Sequence, residues 1–110
     1  MYVYLIQRKD CPDSPIKIGY AANLQRRLRA LQTGSPWKLE VKAAIKCESK
    51  DDAIKLEGCI HFVAGKRFKR LEGEWFFVIG SWKKLIEQAV KMSHLGGKKL
   101  TKKQMGELFT

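Results

Sequence analysis

Arg27 follows Leu24 and precedes Leu31, at the margin of an apolar stripe that recurs at helical spacing, whereas Arg26 and Arg29 fall on the outward side. A guanidinium so placed can hold a phosphate through two parallel hydrogen bonds. It can equally be a surface arginine whose stem covers the edge of a core. Glu57 poses the same alternative on a later helix. It lies in angular position between Ala53 and Ala64, with His61 one turn further on the same side. A carboxylate partly shielded there can bind a hard cation such as Mg²⁺, or it can be satisfied by one of the many Lys and Arg residues. Tyr2 and Tyr4 alternate onto one face of an N-terminal strand. Near a metal and cationic groups a phenol loses or shares its proton more easily than a free phenol does. The plainer alternative is a core ring with its hydroxyl at the sheet edge.

Positioning these residues requires a hairpin and at least two helices. Tyr2 to Gln7 is rich in aromatic and β-branched residues and predicts a strand. Asp10 to Pro15 is a turn segment dense in Pro and Asp, and Ile16 to Tyr20 predicts the returning strand. Ile16, Ile18 and Tyr20 then share one face, and Lys17 and Gly19 the other. Asn23 is a good N-cap for the helix carrying Arg27, which Gly34 and Pro36 close. Lys38 to Lys46 alternates, setting Leu39, Val41, Ala43 and Ile45 against Lys38, Glu40, Lys42 and Lys46, and so predicts a strand with one wet face.

Ser49 and Asp52 resemble a capping box for the helix that carries Glu57, which is predicted to run to about Ala64. Gly65 to Arg70 then reads as a basic loop, with Lys66, Arg67, Lys69 and Arg70 as nucleic-acid contacts alongside Arg26. Glu74 to Ile79 predicts a short strand or extended core segment, and Trp82 to about Met92 a third helix with Trp82, Leu85, Ile86 and Ala89 on its apolar face. Gly96-Gly97 ends the ordered part, so residues 1–94 form one domain and residues 95–110 a basic tail with Lys98, Lys99, Lys102 and Lys103.

The charge balance narrows the class of partner. Twenty-two Lys and Arg face eleven Asp and Glu, a formal net charge of +11 on 110 residues. Such an excess on one small domain favours a polyanion, nucleic acid before an anionic membrane surface, or else serves solubility alone. Cys11, Cys47 and Cys59 form no CxxC pair, which argues against a disulfide framework or a zinc site and for a reducing compartment. The apolar run at the N-terminus ends at Gln7, Arg8, Lys9 and Asp10, too soon for a signal peptide or a membrane span. The expectation is a cytoplasmic protein that engages no membrane.

Taken in order, these segments resemble the GIY-YIG nuclease superfamily. Tyr2-Val3-Tyr4 is similar to its first motif and Lys17-Ile18-Gly19 to its second, with Lys in place of the usual tyrosine. Asn23 to Leu28 follows at the family's interval and sets Arg27 at the catalytic arginine, and Leu56-Glu57 matches the metal-binding glutamate. Gly73-Glu74-Trp75-Phe76 resembles a phage-associated branch, which also includes proteins described as meiotically up-regulated. The resemblance implies an α+β fold, a small and mainly antiparallel central sheet packed by helices. It implies an endonuclease that hydrolyses phosphodiester bonds in DNA, or RNA, with one Mg²⁺ or Mn²⁺ on Glu57. Tyr4 would be the general base or would orient water, and Arg27 would stabilise the phosphoryl oxygens. Lys17 would assist that charge or lower the proton affinity of Tyr4. A non-catalytic nucleic-acid-binding module on the same fold is the alternative.

Overall fold

The computed structural model describes residues 1–70, 75–77, 82–93 and 98–109, with the side chains of Arg67, Lys69, Arg70, Lys98, Lys99 and Lys102 left aside. Its centre is β1 (Tyr2–Arg8), whose run from Val3 to Ile6 is buried on both faces. A strand covered on both faces can be apolar throughout, and this one is. It pairs antiparallel with β2 (Ile16–Ala21) on one side and with β3 (Leu39–Lys46) on the other. The short strands β4 (Lys69–Arg70), β5 (Trp75–Phe77) and β6 (Lys98–Lys99) complete an antiparallel sheet of order β4-β5-β2-β1-β3-β6. Helices cover both faces, so the fold is α+β, as the sequence implies.

One face carries Val3, Leu5, Ile16, Ile18, Ala43 and Ile45 beneath α2 (Lys50–Arg67) and α3 (Trp82–Ser93). The other carries Tyr4, Ile6, Leu39 and Ala44, closed by Leu24, Leu28 and Leu31 of α1 (Leu24–Thr33) and by Met105 and Leu108 of α4 (Lys102–Leu108). The hairpin between β1 and β2 is held from below by the buried Gln7 amide, which donates to the carbonyls of Pro12 at 3.1 Å and Ser14 at 2.7 Å. Among the described residues no helix is long and apolar enough to cross a membrane.

Three stretches differ from the sequence expectation. In β3, Leu5 pairs with Ala43 but Ile6 pairs with Val41, so Lys42 is an extra residue, a β-bulge. The strand turns over at that point. Leu39 and Val41 therefore face α1, while Ala43 and Ile45 face α2, so both sides carry apolar residues into a core. The segment read as a basic loop is instead the last turn of α2, its cap at Phe68 and β4. The helix continues through Gly65, Lys66 and Arg67 because Phe68, at its C-cap, is buried in the core and donates its N–H to Ala64 at 2.7 Å. The cost of a helical glycine, about 1 kcal/mol, is small beside burying a Phe side chain. Finally, the stretch read as a tail contains elements. β6 pairs with Ile45 and Lys46 of β3, and α4 is started by a Thr101/Gln104 capping box. Gly96 and Gly97, read as the break after α3, lie outside the described residues.

Candidate active site

Tyr4 stands in the middle of β1 and is fully buried. Its cross-strand partners are Gly19 on β2 and Ala44 on β3, both too small to compete for the space its ring needs. Above it lies the first turn of α1. Asn23 caps that turn, its side-chain oxygen accepting from the Arg26 N–H at 3.0 Å and its carbonyl accepting from the Arg27 N–H at 3.1 Å. With Leu24 packed into the sheet, the helical phase brings Arg27 over β1, and its Nε donates to the Tyr4 hydroxyl oxygen at 3.0 Å. Arg26 faces solvent, as its angular position predicts.

Lys17 pairs with Ile6, two pairs along the sheet from Gly19 and Tyr4, and so lies on the same face. Its Nζ is 5.4 Å from the centroid of the Trp75 ring, a cation–π contact across the β2–β5 pairing. Tyr20 packs on the opposite face, so it does not take the place of the absent motif tyrosine.

Glu57 rises from α2, on the other side of the sheet, next to the buried Leu56. Its Oε1 is 3.8 Å from His61 Nε2, and the side chains of the pair are only 17% and 15% exposed. His61 Nε2 is also 3.0 Å from the Ile18 carbonyl, and its ring meets Phe76 edge-on with centroids 5.2 Å apart. A carbonyl only accepts, so Nε2 carries the proton and donates it to Ile18. The two groups thus converge on adjacent residues of β2. Ile18 holds His61, and Gly19 is the partner of Tyr4. The sequence shows His61 on the side of Glu57 but gives no sign of this carbonyl, since the contact joins residues 43 apart.

Of the expected nucleic-acid contacts, Arg26 lies on α1 and Lys66 on the last turn of α2, with its Nζ 4.5 Å from the Phe62 ring centroid. They stand on opposite sides of the sheet. The side chains of Arg67, Lys69 and Arg70, and the whole of Glu74, lie outside the described residues.

With this geometry in place, one comparison is informative. A model of the T5orf172 domain matches residues 1–93. The chain belongs to the T5orf172 domain family. That domain is found in phage and nuclease-like proteins. The T5orf172 match runs from β1 through α3, so it contains Tyr4, Lys17, Arg27 and Glu57, and it stops short of β6 and α4. No curated protein and no solved structure gives a significant match.

A divalent cation can be tested against the donors present. Among the described residues no group of three or more His, Cys, Asp or Glu side chains surrounds a common point. A cage for Zn²⁺ or Ca²⁺ takes several protein ligands. Mg²⁺ asks for less, commonly one or two carboxylates with water and substrate phosphate completing its shell. Glu57 could supply one such carboxylate.

Proposed function

We propose that this T5orf172 protein is a metal-dependent endonuclease of the GIY-YIG kind, hydrolysing phosphodiester bonds in DNA. The observation that carries the reading is the 3.0 Å hydrogen bond from Arg27 Nε to the Tyr4 hydroxyl. A guanidinium donating to a phenol oxygen offsets part of what burial costs the phenolate, the form that can take a proton from water. It is also the group best shaped to grip a phosphate. In this reading Tyr4 removes the proton of the attacking water, the new bond forms at phosphorus, and the bond to the leaving sugar oxygen breaks. Arg27 and Lys17 stabilise charge on the phosphoryl oxygens. A cation bound through Glu57 would supply Lewis acidity, and because α2 packs on the face opposite α1, it would reach the phosphate gripped by Arg27 only where the carboxylate extends past β2 at Ile18 and Gly19. His61, anchored on the Ile18 carbonyl, packs beside the Glu57 carboxylate at 3.8 Å.

Tyr4 is fully buried, so a bound phosphate must draw Arg27 toward itself and open the hydroxyl to water. The same burial favours a second reading, a nucleic-acid-binding module in which Tyr4 and Arg27 are structural. The two separate cleanly when the protein is incubated with single-stranded, duplex and branched DNA in Mg²⁺, Mn²⁺ or EDTA. Metal-dependent cleavage supports the enzyme. Binding without cleavage of any DNA or RNA, with either metal, leaves the module.

A further inference from the structure

The geometry points to a stacking site for unpaired nucleotides in the open groove lined by Arg8, Leu31, Pro36, Trp37, Leu39 and Trp75, on the α1 face of the sheet. The groove has a volume of about 780 Å³. It rests on the nuclease reading above, because its occupant would be the unpaired part of that enzyme's DNA. Trp37 is 53% exposed, a large aromatic surface left in water. Its backbone is nevertheless held firmly. The Trp37 carbonyl accepts from Gln32 Nε2 at 2.9 Å and from Ser35 Oγ at 2.8 Å, and its N–H donates to Ser35 Oγ at 3.2 Å. Gln32 also accepts from the Leu39 N–H at 2.8 Å, so α1 and β3 are both tied to this turn. An exposed ring on a fixed backbone offers a face already in place, and a base that stacks on it need not order the loop first.

The surroundings select an anionic ligand with flat faces. The guanidinium of Arg8 lies 4.5 Å from the Trp37 ring centroid, and Lys17 lies over Trp75. Arg8 is the charged side chain of the lining, and no carboxylate joins it among the described residues. Paired aromatics with cations at their edges and faces are how proteins hold single strands, the rings taking bases and the cations taking phosphates. A duplex hides its base faces and gains nothing from such a ring. The groove is also close to the candidate centre. Leu31 is one helical turn beyond Arg27, about 6 Å along α1. Arg8 is four residues beyond Tyr4, about 13 Å along β1. Those distances correspond to roughly two to four stacked nucleotides.

The test compares a thymidine oligonucleotide about ten nucleotides long with a duplex of the same length, both labelled and both in EDTA, so that no cleavage intervenes. Trp37→Ala should weaken single-strand binding by between about fivefold and a hundredfold while duplex binding is unchanged. Trp37→Phe keeps a ring and should restore most of the loss. Thermal melts check that both variants fold, which the exposure of Trp37 favours. Undiminished single-strand affinity in Trp37→Ala, or an equal loss on the duplex, overturns the site. Cleavage is measured separately on the wild type. A wild type that cleaves nothing, alongside a selective loss in Trp37→Ala, sinks the enzyme and keeps the groove. Cleavage by the wild type with no selective loss does the reverse.

Discussion

A buried phenol that accepts from an arginine is worth testing one atom at a time. Tyr4→Phe removes only the hydroxyl and leaves Arg27 Nε without this acceptor. The loss of one such bond should lower stability by about 1 kcal/mol, read from a denaturation curve. Cleavage should fall far more, by about a hundred- to ten-thousandfold in single-turnover rate at saturating metal. Full activity in that variant removes Tyr4 from the chemistry. Lys17→Met should be impaired, and Lys17→Tyr should keep part of the rate if the position needs only a hydrogen-bond donor. Glu57→Gln keeps the shape but not the charge, so metal-dependent cleavage should vanish while DNA binding stays. Turnover at the wild-type rate would place the metal elsewhere. The cysteines provide a check on the core. Burial pushes the Cys47 thiol above its ordinary value, against a smaller opposing pull from the N-terminal amine. The neutral thiol is therefore retained as pH rises past the unfolded value, and Cys47 should alkylate more slowly at neutral pH than the half-buried Cys11 and Cys59. Equal labelling rates in the folded protein would mean that β3 opens at its end.

At the scale of elements, the surprise is how much the C-terminal segment contributes. Leu100, Met105 and Leu108 pack against the cluster around Tyr4, and the Leu100 N–H donates to the Ala44 carbonyl at 2.8 Å. Met105→Ala and Leu108→Ala should each cost about 1–2 kcal/mol, roughly half the loss at a fully buried site. Melts within error of the wild type would make α4 an ornament. This segment was hard to see in the sequence because its elements are short and its apolar residues are separated by lysines. What was legible was local. The hairpin, the Asn23 and Ser49 caps and the helical phase of Arg27 all follow from spacing within a few residues, and the structure has each of them. What escaped was tertiary. The regular alternation of residues 38–46 hid the bulge at Lys42, because nothing in the β3 sequence tells which residue its neighbour will skip. The end of α2 was set by the distant core that receives Phe68. In the candidate site, the Arg27 position was readable from its phase, whereas the hold of His61 on Ile18 and the exposed, pinned Trp37 were not. A ring after Gly34-Ser35-Pro36 reads in sequence only as part of a turn.

For the whole molecule, the question is how a charge of +11 meets DNA. The structure is 36 × 31 × 23 Å, about one turn of duplex at most in any direction. Arg26 and Lys66 stand on opposite sides of the sheet, so one straight duplex cannot touch both. Most of the twenty-two cations must therefore act at a distance, where salt screens them within about 10 Å. Only those in contact with phosphates release counterions. If the α1 face is the docking face, about three to five contacts are reasonable, and duplex affinity should fall linearly in log salt with a slope of about −2.7 to −4.5. Between about 50 and 200 mM salt that is a loss of roughly forty- to five-hundredfold. Arg26→Ala should make the slope shallower by about 1, and Lys66→Ala should leave it unchanged. The measurement is anisotropy of a short labelled duplex titrated at several salt concentrations in EDTA. A flat response removes the electrostatic argument altogether. A slope near −10 would mean that the DNA wraps both faces or that several copies bind one duplex. If Lys66→Ala changes the slope and Arg26→Ala does not, the duplex docks on the α2 side, and the Tyr4–Arg27 pair is turned away from it.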